Sequence, residues 1–342
     1  MRAAVLGAGG WGTALAVHLA RLGWEVALWA RRESFARELQ KTRENRVYLP
    51  GIKLPDEITP LCQLDEALSH KDLVILAIPS QVLRASLEQI PSFYWQGEPL
   101  ILQAAKGLEL STLQRLSQVA ASCIPQRLAS RIVVLSGPNH AEEIARGAPA
   151  ASVVASEVDE AAHEAQRYLM GKTLRIYVNQ DLVGVELGGA LKNIIAIAAG
   201  ICDGLELGDN TKATVITRGL AEIVRLGVKL GGKPSTFAGL SGMGDLIATA
   251  CSTHSRNWRA GYEIGQGKDP AVVLQGPQVV EGAPTARSAL ALAEKLGVPM
   301  PITEGVCEVL AGKSPLEVVH SLMEREPKIE VDHSGMWSQG EV

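Results

Sequence analysis

Residues 7–12 read Gly-Ala-Gly-Gly-Trp-Gly. The apolar run Ala3-Ala4-Val5-Leu6 leads into them, and Thr13-Ala14-Leu15-Ala16-Val17-His18-Leu19-Ala20 leads out with the look of a helix. Gly7, Gly9 and Gly12 hold the G-x-G-x-x-G spacing of the first strand-to-helix turn in a dinucleotide-binding sheet. In such a turn the first glycine makes the bend and the second lets the backbone approach a pyrophosphate. The third lets helix and strand pack closely. The pyrophosphate then rests on free N–H groups at the helix N-terminus. A glycine bend without a ligand is the competing reading. The position between a strand and a helix, at the start of the chain, weighs against it.

Working outward, short apolar runs alternate with helix-like segments. Strands are expected at 3–6, 25–29, 72–78, 99–104 and 131–135, with 151–155 and 174–178 extending the sheet. The run Asp72–Ile78 is almost continuously apolar, as suits a strand covered on both faces. This alternation predicts right-handed crossovers and an α/β Rossmann domain with a doubly wound, mainly parallel sheet over residues 1–180. After about residue 180 the texture becomes helical. Long segments follow at 181–207, 213–230, 258–266, 285–296 and 303–310, with a short one from Pro315. Residues 181–327 therefore read as an all-α substrate and catalytic domain. The polar stretch 328–342 reads as a flexible tail, with Trp337 as the one residue suited to docking.

The bulk numbers agree with two domains, since 342 residues exceed one comfortable core. A net charge of −4 without a basic stripe gives no reason to expect nucleic acid. The apolar runs are interrupted by Gly, Lys or Asp before the ~20 residues of a membrane span, so no stable membrane insertion is expected. The first strand meets its glycine loop at once, which does not fit a signal peptide. Cys62, Cys123, Cys202, Cys251 and Cys307 are scattered, without a C-x-x-C pair, which points to a reducing, cytoplasmic compartment. The seven histidines show no H-x-x-x-H spacing, so no metal is expected.

The end of the second strand chooses the dinucleotide. A carboxylate there would bind the ribose 2′-hydroxyl of NAD. This chain has Trp29-Ala30-Arg31-Arg32 instead. A guanidinium binds phosphate oxygens bidentately, so Arg31 and Arg32 predict that NADP is accepted and preferred, with NAD as the second cofactor. The competing reading makes both arginines solvated loop charges, and Glu33 beside them opposes a phosphate.

Further stretches then stand out in order: AIPSQ at 77–81, AAKGLE at 104–109, LSGPNHAEEIA at 135–145, ELGGALKNIIAIAAG at 186–200, GLSGMGDLIATACSTHSRN at 239–257 and VVEGAPTA at 279–286. With GAGGWGTALA they resemble the soluble bacterial-type NAD(P)-dependent glycerol-3-phosphate dehydrogenases from residue 2 to about 325. The resemblance implies a helical domain of the 6-phosphogluconate-dehydrogenase type. It also implies interconversion of sn-glycerol 3-phosphate and dihydroxyacetone phosphate, for glycerophospholipid synthesis. The substrate would be a small phosphorylated three-carbon molecule, and the assembly a homodimer. Carried over by motif, Lys106 stands near nicotinamide and substrate, and Lys192 is the proton donor and acceptor. Asp245 is a substrate-site carboxylate. Gly137, Asn139 and Ala141 line substrate and cofactor. Ser255, Arg256 and Asn257 meet the substrate phosphate, with Arg256 also near cofactor. Val279 and Glu281 join Gly10, Trp11, Arg31 and Arg32 as cofactor contacts. The family often has Thr or Ser where this chain has Asn139; an amide can replace the hydroxyl, but with a different reach.

The chemistry accounts for the lysines. A ketone that accepts hydride becomes an alkoxide, which a charged lysine can both stabilise and protonate. A free lysine titrates near ~10.4, so acting as a base near neutrality needs burial or a second cation such as Lys106. Read locally, Lys192 could equally lie on a wet helix face, Asp245 could be a simple turn residue, and His140 is a weaker candidate base. Two alternatives stay open: an NADPH-dependent reductase of a small keto or hydroxy acid, and a nucleotide-sensing protein without catalysis.

Overall fold

The computed structural model describes residues 1–276 and 278–327. The expected tail and its Trp337 lie outside the described residues. Eight strands form one sheet: β1 Arg2–Leu6, β2 Glu25–Trp29, β3 Ile58–Leu61, β4 Leu73–Leu76, β5 Leu100–Gln103, β6 Ile132–Ser136, β7 Ala150–Ala155 and β8 Leu174–Asn179. Their spatial order is β3-β2-β1-β4-β5-β6-β7-β8. Between them run α1 Gly10–Arg21, α2 Glu33–Thr42, α3 Leu64–Leu68, α4 Leu83–Glu88, α5 Leu116–Cys123, α6 Ala141–Arg146 and α7 Asp159–Leu169. The order reverses between β1 and β4, which opens a crevice at their carboxyl ends. One face of the sheet buries Val5, Leu28, Ile75 and Leu102; the other buries Leu6, Trp29, Leu76 and Ile101.

Two features of the sheet differ from the sequence reading. β3, Ile58-Thr59-Pro60-Leu61, is not among the strands expected above; it is short and contains a proline. It occupies the sheet edge, where a missing N–H leaves no ladder bond broken. β7 runs antiparallel to β6, while every other neighbouring pair is parallel. The connecting α6 packs against α1 rather than returning along the sheet, so the chain re-enters from the end where β6 left it.

The second half is helical: α8 Leu182–Gly204, α9 Gly208–Lys229, α10 Pro234–Phe237, a π-type segment at Leu240–Gly244, α11 Asp245–Ala250, α12 Arg256–Gly265, α13 Pro270–Leu274, α14 Gly282–Leu296, α15 Pro301–Leu310 and α16 Pro315–Met323. Several begin earlier than expected. The Asp209-Asn210-Thr211 stretch forms the first turn of α9, and Ser255 caps α12 by accepting from Trp258 N at 3.1 Å. α8 is the axis of this half. Among the described residues it is the one helix long and apolar enough to cross a membrane, yet 94% of its most apolar window is buried in protein. The sequence reading missed this continuity because Lys192 and the glycines seem to interrupt the run. A side chain at Gly200 would place its Cβ 2.0 Å from Trp258 O, and one at Gly261 would come as close to Ile197 O. These absent side chains let α8 and α12 pack backbone to backbone.

Candidate active site

Gly7 has φ +118°, and a Cβ there would lie 2.5 Å from Ala77 O on the adjoining strand end. A Cβ on Gly12 would lie 1.9 Å from Gly7 O, so the turn closes only with glycine at both positions. A Cβ on Gly9 would meet nothing within 4 Å, so open space faces that bend. Gly9 is the N-cap of α1, and no side chain caps that end. A bare helix N-terminus facing open space beside a tight glycine turn fits the pyrophosphate of a dinucleotide. Trp11 ties this loop to the next element, since its indole N–H donates to Ala104 O at 3.1 Å. Ala104 stands two residues before Lys106, just past the end of β5.

Lys106, Lys192 and Asp245 converge, although the sequence separates them widely. Lys106 Nζ donates to Asp245 Oδ2 at 2.7 Å and to Gly137 O at 2.8 Å. Lys192 Nζ donates to Asp245 Oδ1 and, at 2.5 Å, to Thr249 Oγ1. The Thr249 hydroxyl donates in turn to Asp245 O at 2.6 Å. Asp245 is thus neither a simple turn residue nor solvated; its side chain is 1% exposed and bridges two ammoniums. Lys192 is not on a wet helix face either. Burial pushes its ammonium down to about 8 despite the pull of Asp245, and the cations of Lys106 and Arg256 push the same way.

Around this cluster, Asn257 Nδ2 donates to Asn193 Oδ1 at 2.9 Å, and Gly282 N donates to Asn257 Oδ1 at 2.9 Å. Asn139 accepts from Ser152 Oγ at 2.6 Å, and its own amide nitrogen is buried without a partner among the described residues. Ala141 opens α6 beside Gly10. Ser255 spends a lone pair on its helix cap, which leaves its proton to donate. Arg256 opens α12 with an exposed side chain. His140 faces Ala248 O at 3.0 Å rather than the lysines. Arg31 and Arg32 are exposed at the end of β2, with Arg32 over the Phe35 ring, apart from the lysine cluster. Val279 is exposed too. Glu281 is held by the other half of the chain: Ser80 N donates to its Oε1 at 2.9 Å and Ser80 Oγ donates to its Oε2. Burial raises the Glu281 carboxyl against these hydrogen bonds and the nearby Arg256 charge.

Ser80 and Thr249 were missed as site-shaping residues. Thr249 was findable, because Asp245 and Thr249 are four apart and α-helical spacing puts them on one face. Ser80 carried no local signal, since its partner is 201 residues away.

The family model for the NAD-dependent glycerol-3-phosphate dehydrogenase N-terminus matches residues 2–162, and that for the C-terminus matches residues 181–321. The chain belongs to this dehydrogenase family. Among named relatives, the glycerol-3-phosphate dehydrogenase (NAD(P)+) of Moorella thermoacetica is 50% identical over 336 residues, which is 98% of each chain. That of Geobacillus kaustophilus is 51% identical over 333 residues, 96% of each. The crystal structure of glycerol-3-phosphate dehydrogenase from Coxiella burnetii superposes with a TM-score of 0.89 at 36% identity, covering 95% of this chain and 99% of that one.

Proposed function

We propose that the protein reversibly reduces dihydroxyacetone phosphate to sn-glycerol 3-phosphate, with Lys192 as proton donor and acceptor. The observation that carries this reading is the buried Lys106–Asp245–Lys192 bridge beside the glycine turn. A bound NADP or NAD would lie on Gly7, Gly9, Gly10 and Gly12, reach toward Arg31 and Arg32, and supply or accept the hydride.

The chain's own groups do the rest. Two N–H bonds of the Lys192 ammonium are claimed, one by Asp245 and one by Thr249. A tetrahedral nitrogen then has one direction left, and its third N–H points along it. In ketone reduction that proton passes to the forming alkoxide. The remaining amine keeps both bonds and turns its lone pair along the same direction, ready for the reverse reaction. A lysine titrating at about 8 holds both forms in useful amounts near neutrality. Lys106 stabilises negative charge on the substrate oxygen. Ser255, Arg256, Asn257 and the Asn139 amide supply donors for the phosphate. Asp245 anchors both lysines.

The Rossmann half, 1–180, and the helical half, 181–327, meet at this cluster. The same reading places the enzyme in the cytoplasm as a homodimer, with NADP preferred. Adding dihydroxyacetone phosphate and NADPH to the protein should consume the reduced dinucleotide's near-ultraviolet absorbance. No turnover with either NADPH or NADH would sink the proposal.

A further inference from the structure

Glu186 lies six residues before Lys192 on α8 and is 5% exposed although charged. It accepts from Arg115 Nη1 at 2.6 Å, Ser117 N at 2.7 Å and Ser117 Oγ at 2.6 Å. Arg115 and Ser117 stand at the start of α5, where the loop bearing Lys106 ends. That loop closes on itself: Leu108 bridges Arg115, and Glu109 N donates to Gln114 O at 3.0 Å. Glu186 therefore grips the base of this hoop, and Lys106 stands two residues before that base on the incoming side of the loop.

The same face of α8 meets Lys106 itself twice. A Cβ on Gly189 would lie 3.4 Å from Lys106 Cδ, and Asn193 Nδ2 donates to Lys106 O at 3.4 Å. Positions 186, 189 and 193 follow the i, i+3, i+7 spacing of one helix face.

We propose that Glu186 is a positioning residue, which sets the separation of Lys106 from Lys192 by clamping Arg115 and Ser117. The inference rests on the reading of Lys192 as the proton carrier. The charged groups that face Lys192 are Asp245, Lys106 and Arg256. Asp245 and Arg256 stand on helices, whereas Lys106 rides on a loop, so its place depends on what holds that loop. A withdrawn Lys106 leaves Lys192 easier to protonate, so the alkaline limb of ketone reduction shifts up. Removing the Glu186 charge has the opposite direct effect, because a lost anion makes Lys192 harder to protonate. The sign of the shift therefore separates positioning from simple electrostatics.

The test compares pH–rate profiles of the wild type, Glu186→Gln, Lys106→Met and the double variant, with dinucleotide binding read by fluorescence. Glu186→Gln is expected to raise the midpoint by about half a unit to one unit and to lower turnover about tenfold. Its dinucleotide affinity should stay within about twofold of the wild type. Lys106→Met should raise the midpoint too, and the double variant should go no higher, because Glu186 acts through Lys106. A midpoint that stays or falls in Glu186→Gln, or additive shifts in the double variant, would overturn the inference. If Glu186→Gln fails to fold, Arg115→Lys withdraws the Nη1 donor from Glu186 and Ser117 with its charge kept, and the same rise is required of it. Failure of the proton-carrier reading shows separately, as a wild type without an alkaline limb or a Lys192→Ala variant that turns over normally.

Discussion

Replacing Asp245 with Asn tests the cluster most directly. The amide has the carboxylate's shape and can still accept from Lys192, but the charge that both ammoniums share is gone. Two unit charges ~3 Å apart interact by about 5 kcal/mol at an effective dielectric of ~20. At ~1.4 kcal/mol per pKa unit that bounds the change in Lys192 at about four units. The retained amide oxygen and water drawn to the lysines offset about half of it. The midpoint should then fall from about 8 to roughly 6. The sign follows from the charges: losing an anion disfavours the ammonium, and the repulsion from Lys106 and Arg256 remains. At pH ~7 the charged fraction would drop from about nine-tenths to about one-tenth, a roughly tenfold loss of ketone reduction before any loss of orientation. Initial rates of dihydroxyacetone phosphate reduction across pH, at saturating substrate and NADPH, would read the midpoint. In the oxidation direction the rising limb should move down by the same amount. A midpoint that stays near 8 or rises would refute the reasoning, because no bridge of this geometry can lose its anion without that shift.

Lys192→Ala should leave dinucleotide binding within about twofold while turnover falls by about three orders of magnitude, measured by fluorescence titration and initial rates. Neutralising Arg31 and Arg32 should weaken NADPH at least about tenfold more than NADH, since only NADPH carries the phosphate they would bind; equal losses count against the clamp. Gly12→Ala should abolish dinucleotide binding and destabilise the fold by about 2–4 kcal/mol, because its Cβ would lie 1.9 Å from Gly7 O; a thermal melt like the wild type's would contradict this.

Much of the fold was legible because its signals are local. A glycine turn between a strand and a helix is spelled by six consecutive residues, and a strand buried on both faces is spelled by a run such as Leu73–Leu76. What stayed hidden depends on distant partners. β3 carries Pro60, which only a sheet edge accommodates, and no local pattern says which strand will be the edge. The direction of β7 follows from where α6 packs, which no local pattern records. Lys192 looked equally like a solvated lysine, because the side chains that bury it come from elements far along the chain. Its bridge to Asp245 spans 53 positions. The motif resemblance named both residues, but only the geometry shows one carboxylate holding two ammoniums.

The packing of α8 has a consequence for how this chain is made. The helix leaves the ribosome long before α12, whose backbone covers it at Gly200 and Gly261. Synthesis of the residues from 204 to 265 takes roughly 3–12 s at ~5–20 residues per second. For that interval the nascent chain carries a span as apolar as a transmembrane helix, with Lys192 near its middle, and for about the first two-thirds of it Asp245 is not yet translated. Lys192, later buried in the core, is the one basic residue of that span, and a lysine at a helix centre opposes membrane insertion by about 2.5–3.5 kcal/mol.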